Sequence, residues 1–273
     1  MKAITGAITR GSTTLHYAVK GTGAAAVLLI APGGMQSSIS MWQNQQWDPW
    51  TRLADNFTLI AMDQRNAGKS TGPVFDGDHG WEQYAEDQLA VLDHLGVRRC
   101  LLLGQCIGPS YIFELLKRAP IRFSAALLLQ PIGVALHTTE PAGWKGTNVE
   151  ATTHWFGRWA DEMRSAGRAS DEELSRLYQS MYAGRDFVFS ASREELAVMT
   201  TPMLVTAGVD SFHPAETARE IARLAPNAEL LEHWRGEDYS PAIHDKFVAF
   251  LRQHAHNTEV VMPLKAYMSP SPE

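Results

Sequence analysis

Short apolar runs separated by helical stretches recur through most of this 273-residue chain, and this alternation limits its fold more than any other feature. Apolar runs bounded by turn residues are typical of strands that are buried on both faces of a parallel sheet. The helical segments between them supply the crossover connections that parallel strands require. The pattern therefore predicts an α/β fold, with core strands at 26–31, 57–62, 100–103, 125–129, 203–207 and 228–234.

A different pattern precedes the first buried run. Residues 3–9 and 14–19 are two strand-like segments joined by Gly11-Ser12-Thr13, which predicts an antiparallel hairpin at the edge of the sheet. Helices are predicted where apolar spacing coincides with capping residues, such as Gly96 after the first of them. The predicted helices lie at 81–95, 109–118, 214–224 and 241–255.

The strand pattern stops between residues 134 and 200. Aromatic side chains at roughly helical spacing, among them Trp155 and Tyr182, predict a helical lid insertion over one end of the sheet. Two interpretations of this apolar stripe remain open, because it can form the core of the insertion or the roof of a pocket. The predicted organisation is an α/β core at 1–133 and 201–261, a helical lid at 134–200, and a loose, proline-containing C-terminal tail at 262–273.

Charge and hydropathy exclude several classes of protein. The chain has 24 Lys and Arg against 30 Asp and Glu, a formal net charge of −6, which argues against a nucleic-acid partner. No apolar run approaches the ~18 to 20 residues of a membrane span, and no secretory signal is visible near the first residue. Two cysteines are too few for a disulfide framework. We therefore expect a cytoplasmic protein with reduced thiols and no membrane partner.

The segment 104–108, Gly-Gln-Cys-Ile-Gly, lies between a predicted strand and a predicted helix. Gly104 and Gly108 allow the backbone to turn sharply, so Cys106 can adopt a strained conformation and project from the sheet edge. A helix N-terminus also stabilises a thiolate. Cys106 is therefore the candidate nucleophile, whereas Cys100, inside the strand, is interpreted as a small buried apolar residue.

This strand, turn and helix resemble the nucleophile elbow of the α/β-hydrolase superfamily, with Cys106 where serine is commoner. The resemblance implies the α/β-hydrolase fold and hydrolase chemistry. It also implies an oxyanion hole, in which the amide of Ile107 pairs with the amide of Gly34 or Met35 in the glycine-containing segment 30–35. A tight turn without a catalytic role is the alternative for that segment.

Residues 63–70 are similar to a turn that is common after the next strand in the same superfamily. We interpret this turn as structural. Asp63 and Arg65 are expected to hold it, and Asn66 is expected to occupy the left-handed region of backbone conformation.

The resemblance further implies that Asp210 is the triad acid that orients an imidazole, with helix capping as its alternative role. The superfamily places its histidine in the loop after the last strand, where this chain has Asp238. Candidate bases are therefore His213, in the acid loop, followed by His233 and His244. We favour His213, because functional groups gather in loops at the carboxyl edge of such a sheet. A cysteine also tolerates a displaced base, or none, better than a serine does.

Together these residues predict a cysteine-dependent acyl hydrolase that cleaves an ester, lactone or thioester of a small apolar molecule through an acyl-Cys106 intermediate. A biosynthetic cyclase or acyltransferase, a carbon–carbon lyase and a non-catalytic ligand-binding protein are the alternatives. No phosphate loop, dinucleotide motif or Cys/His cluster is present in the sequence, so no cofactor or metal is expected. The expected partner is a small-molecule substrate, and the sequence carries no signal of oligomeric state. The tryptophans that could line the pocket are Trp42, Trp47, Trp50, Trp155 and Trp159.

Overall fold

The computed structural model describes residues 2–75, 80–134, 149–183 and 187–260. Within these ranges the strands belong to one sheet and are connected by helices. The strands are β1 (Ile4–Arg10), β2 (Thr13–Lys20), β3 (Ala26–Ile30), β4 (Thr58–Met62), β5 (Val97–Gln105), β6 (Phe123–Leu129), β7 (Met203–Thr206), β8 (Ala228–Leu231) and β9 (Glu259–Val260). The helices are α1 (Pro49–Arg52), α2 (Gly80–His94), α3 (Gly108–Arg118), α4 (Val149–Ser165), α5 (Asp171–Met181), α6 (Arg193–Ala197), α7 (Ala215–Leu224) and α8 (Pro241–Ala255).

The strand order confirms the predicted α/β-hydrolase arrangement of the sheet. The order is β1-β2-β4-β3-β5-β6-β7-β8, and the strands from β4 to β8 pair in parallel. The hairpin of β1 and β2 is antiparallel and lies at one edge, as expected. The short strand β9 was not predicted and pairs antiparallel with the start of β5.

Apolar strands divide the core into two layers, one on each face of the sheet. The residues of β3, β4, β6 and β7 are all buried, as their continuous apolar runs predict. One layer includes α2, α3 and α7, and the other includes Phe247 of α8 together with Trp42 and Trp47. These two tryptophans therefore contribute to packing. Strand β8, in contrast to these four strands, has no buried residue, because it forms the other edge of the sheet.

Helices α4, α5 and α6 lie between β6 and β7 in the chain, within the segment predicted to be the lid. Part of their apolar stripe is core, since Trp159 and Leu177 are fully buried. The indole of Trp159 donates a hydrogen bond to the backbone oxygen of Asn66 at 3.1 Å. The predicted tail at 262–273 and parts of the predicted lid lie outside the described residues. None of the described helices is both long and apolar enough to cross a membrane.

The turn after β4 is held by buried charges. The carboxylate of Asp63 accepts backbone hydrogen bonds from Ile39 and Lys69, each at 2.9 Å. Asn66 has a φ of 60°, in the left-handed region, as predicted. Arg65 extends away from the turn and binds Asp87 of α2 through two hydrogen bonds of 2.8 and 2.9 Å. The turn is thereby fixed both to itself and to a neighbouring helix.

Candidate active site

Cys106 lies at a sharp turn between β5 and α3. Its φ of 62° is left-handed, a strained conformation for a residue with a side chain. A Cβ on Gly104 would come within 2.7 Å of the Gly108 carbonyl carbon, and a Cβ on Gly108 within 2.6 Å of the Ile30 oxygen. Glycine is therefore required at both positions for strand and helix to approach this closely, and the turn presents Cys106 at the carboxyl edge of the sheet.

The thiol lines a pocket of about 320 Å³. The side chains around it are mainly apolar, with a small set of polar groups among them, as in many small-molecule sites. Trp155 lines this pocket. For this residue of the apolar stripe, the interpretation as part of a pocket wall is therefore the one that the structure supports. The apolar lining comes from Met41, Ile107, Ile132, Trp155 and Phe212, and the polar side chains are those of Gln36, Arg158 and His213.

His213 is held by Asp210 within one short loop after β7. The distance from His213 Nδ1 to Asp210 Oδ1 is 2.7 Å. The same carboxylate oxygen accepts the backbone N–H groups of Phe212 at 3.0 Å and of His213 at 3.1 Å. Burial raises the pKa of Asp210, but the hydrogen bond and charge of His213 outweigh it, so the pKa lies below its ordinary value. Asp210 is thus ionised and orients the imidazole.

The second ring nitrogen of His213, Nε2, is not the one that contacts Asp210. His213 is only 9% exposed, and its Nε2 is buried without a well-aligned hydrogen-bond partner among the described residues. Cys106 and His213 nevertheless line the same pocket, and the charge of the imidazole acts on the thiol. The loop therefore brings together Cys106, His213 and Asp210, three of the predicted site residues.

The electrostatics of this group favour a thiolate beside an imidazolium. Burial raises the pKa of Cys106, but the charge of the neighbouring His213, with the backbone N–H groups of Gly33 and Ile107, brings the pKa below its ordinary 9.0. Burial lowers the pKa of His213, but Cys106 and Asp210 raise it overall to about 9. In contrast, burial raises the pKa of Cys100 to about 12, which keeps that thiol neutral.

The structure does not bring the other candidate bases to the thiol. His233 is exposed, and its Nδ1 lies 3.2 Å from Asp238 Oδ2. Both residues line a different pocket, beside β8. His244 accepts a hydrogen bond from the indole of Trp47 at 3.4 Å, on the face of the sheet that α8 covers. Asp238, which stands where the superfamily has its histidine, thus pairs with His233.

The predicted oxyanion segment forms the wall opposite the elbow. Gly34 lines the pocket and begins a 3-10 turn, where the first N–H groups have no acceptor inside the turn. Met35 is buried, and its sulfur accepts a hydrogen bond from Tyr182 at 3.2 Å, so its side chain lies away from the pocket. The amides directed at the sulfur are those of Gly33 and Ile107. Gly33 was not among the predicted site residues.

Five further lining residues were missed by sequence reasoning, namely Gln36, Met41, Ile132, Arg158 and Phe212. Phe212 adjoins His213 in the acid loop, and Arg158 and Gln36 supply polar groups. Arg158 could have been predicted from the sequence, because it follows Trp155 by three residues and so lies on the same face of the helix. Among the described residues, no group of three or more His, Cys, Asp or Glu side chains could hold a metal ion.

Comparison with known proteins finds both sequence and structural similarity. A family model for the alpha/beta hydrolase fold matches residues 26–194. A protein of Mycobacterium phage D29, whose name assigns it to the non-heme haloperoxidases, is 34% identical over 67% of this chain and 66% of its own length. Rhodomycin D methylesterase DauP of Streptomyces sp. (strain C5) is 26% identical over 93% of this chain and 98% of that protein. The solved structure of the serine hydrolase CCSP0084 from Cycloclasticus zankles aligns with a TM-score of 0.64 and 22% identity, over 92% of this chain and 98% of that one.

Proposed function

Because the chain belongs to the α/β-hydrolase fold family, we propose that the protein is a cysteine-dependent acyl hydrolase. Its substrate is an ester, lactone or thioester of a small, largely apolar molecule, and its nucleophile is Cys106. The observation that carries the proposal is that Cys106 shares one pocket with His213, whose Nδ1 is held by Asp210, and that the thiol has a lowered pKa there. A relative named as a methylesterase agrees with this reaction class.

Acylation begins with attack of the Cys106 thiolate on the substrate carbonyl carbon. The carbonyl π electrons move to oxygen, and the negative oxygen is stabilised by backbone N–H groups. Ile107 contributes one amide, and Gly33 or Gly34 contributes the other from the opposite wall. When the tetrahedral intermediate collapses, the bond to the leaving group breaks, and the His213 imidazolium gives that group its proton.

Deacylation reverses these roles with water as the nucleophile. His213, now neutral, takes a proton from water while the water oxygen attacks the thioester carbonyl. Collapse of this second intermediate breaks the carbon–sulfur bond and releases the acid, and the thiolate and imidazolium are restored. Asp210 remains ionised throughout and stabilises the imidazolium. The reaction consumes one water and requires no further reactant.

Covalent capture tests this mechanism. We would incubate the protein with 4-nitrophenyl esters of increasing chain length, record released nitrophenol, and measure the intact mass of the quenched protein. We expect a burst of nitrophenol and an acyl adduct that maps to Cys106, because the thioester is an intermediate. Cys106→Ala should abolish both signals, and Cys100→Ala is the matched control because that thiol is buried in the strand.

The same experiment separates the proposal from its alternatives. Absence of an adduct, with turnover unchanged in Cys106→Ala, would refute covalent catalysis. An adduct that transfers to an added alcohol or amine much faster than to water would identify an acyltransferase. Binding of esters without any turnover by the wild-type protein would instead indicate a ligand-binding protein.

A further inference from the structure

Arg158 is the one cationic side chain, apart from His213, among the described residues that line the Cys106 pocket. It projects from α4 and is exposed to solvent. Within the described part of the chain, its guanidinium makes no ion pair or hydrogen bond. Most of the other lining side chains, including Met41, Ile132 and Phe212, are apolar. A cation without an ion pair among the described residues therefore lines a mainly apolar cleft.

The carboxylate that could neutralise Arg158 is bound elsewhere. Glu162 lies four residues further along α4, a spacing at which helical salt bridges commonly form. However, both of its oxygens accept hydrogen bonds from Gln36 Nε2, at 2.9 and 2.8 Å. Gln36 itself lines the pocket. Glu162 is therefore hydrogen-bonded to Gln36, and among the described residues the guanidinium of Arg158 is left for a ligand.

We propose that Arg158 binds a carboxylate on the substrate, at the end remote from the carbonyl that Cys106 attacks. This inference rests on the proposed function and narrows its substrate class to anionic esters, lactones or thioesters with an apolar middle, such as monoesters of dicarboxylic acids. Guanidinium presents paired N–H donors that match a carboxylate. Binding energy from such a remote group holds the carbonyl against the thiolate.

Selectivity between matched probes tests the inference. The first anionic probe, mono-4-nitrophenyl glutarate, carries its carboxylate on the acyl portion of the ester. The second, 4-acetoxybenzoate, carries it on the alcohol portion. Their neutral counterparts are 4-nitrophenyl pentanoate and phenyl acetate. We expect the wild-type protein to prefer at least one anionic probe in kcat/KM, and Arg158→Gln to lower that preference on the order of tenfold, mainly through KM. Arg158→Glu should lower it further.

Arg164→Gln is the matched control, because Arg164 is on the same helix but pairs with Asp161 and Asp171 at 2.6 and 2.7 Å. It should retain the wild-type preference. An equal ratio of anionic to neutral kcat/KM in wild type and Arg158→Gln, for both probe pairs, would overturn the inference while leaving the acyl hydrolase intact.

A binding measurement keeps the two proposals distinguishable. Glutarate titrated into the Cys106→Ala protein should bind more weakly when Arg158→Gln is added, whether or not any ester is turned over. Binding of glutarate that is unaffected by Arg158→Gln would count against the inference. Failure of the wild-type protein to hydrolyse any probe would refute the proposed function instead.

Discussion

Removal of the His213 imidazole is expected to raise the pKa of Cys106 to its ordinary value or above. Burial is the largest influence on this thiol and raises its pKa, while the charge of His213 lowers it. Without His213, burial is opposed only by the backbone N–H groups of Gly33 and Ile107. The thiolate of His213→Ala should therefore form at higher pH than that of the wild-type protein.

The size of the effect follows from the ionised fraction. A thiol with the ordinary pKa of 9.0 is ionised to about 1% at pH 7. The alkylation rate follows the thiolate fraction, so each unit by which the pKa rises slows the reaction at pH 7 about tenfold. Because the wild-type pKa lies below 9.0, its thiolate persists to lower pH, and its reactivity is lost only as pH falls through the lowered value.

The assay is alkylation by iodoacetamide, followed by intact mass, over a range of about pH 5 to pH 10. His233→Ala is the matched control, since His233 is exposed and pairs with Asp238. Cys106→Ser measures background labelling of the buried Cys100. The reasoning would be refuted by a midpoint that is the same in wild type and His213→Ala, or by a shift produced by His233→Ala.

Two further results are expected. Asp210→Asn should lower kcat/KM for an ester substrate roughly 10- to 100-fold, because the amide cannot stabilise the His213 imidazolium. The control Asp238→Asn should leave kcat/KM unchanged. Equal losses of kcat/KM in the two variants would contradict the role of Asp210. Asp87→Ala should destabilise the protein by about 3–5 kcal/mol in urea unfolding, because it removes the buried carboxylate that binds the buried Arg65 guanidinium. Asp93→Ala, at an exposed pair, should cost roughly 0–1 kcal/mol.

Local patterns were sufficient to predict most elements of the fold. The strands β3, β4 and β6 are continuous apolar runs, and their buried positions follow directly from that composition. Strand β9 was missed, because a two-residue strand with one exposed residue has no detectable periodicity. Its pairing with β5 depends on where α8 delivers the chain.

The turn at Cys106, the proposed nucleophile, could also be predicted locally, since Gly104, Cys106 and Gly108 are close in sequence and their small side chains explain the turn. The proposed base could not be chosen in this way. The sequence places His213 in the loop after one predicted strand, His233 at the end of the next strand, and His244 in the final predicted helix. These positions alone do not show which histidine is next to Cys106. Only the packed structure shows that His213 reaches Cys106 while His233 and His244 bind other partners.

The amino-acid sequence by itself determined the α/β architecture, the elbow at Cys106 and the acid loop at Asp210, because each depends on residues within a few positions of one another. The tertiary structure decided which histidine adjoins the thiol and that Gly33 directs an amide at it. It also decided that Arg158 joins the same pocket. These contacts connect β3, α3, α4 and the loop after β7. Their distances are set by strand order and helix docking, which no local pattern encodes.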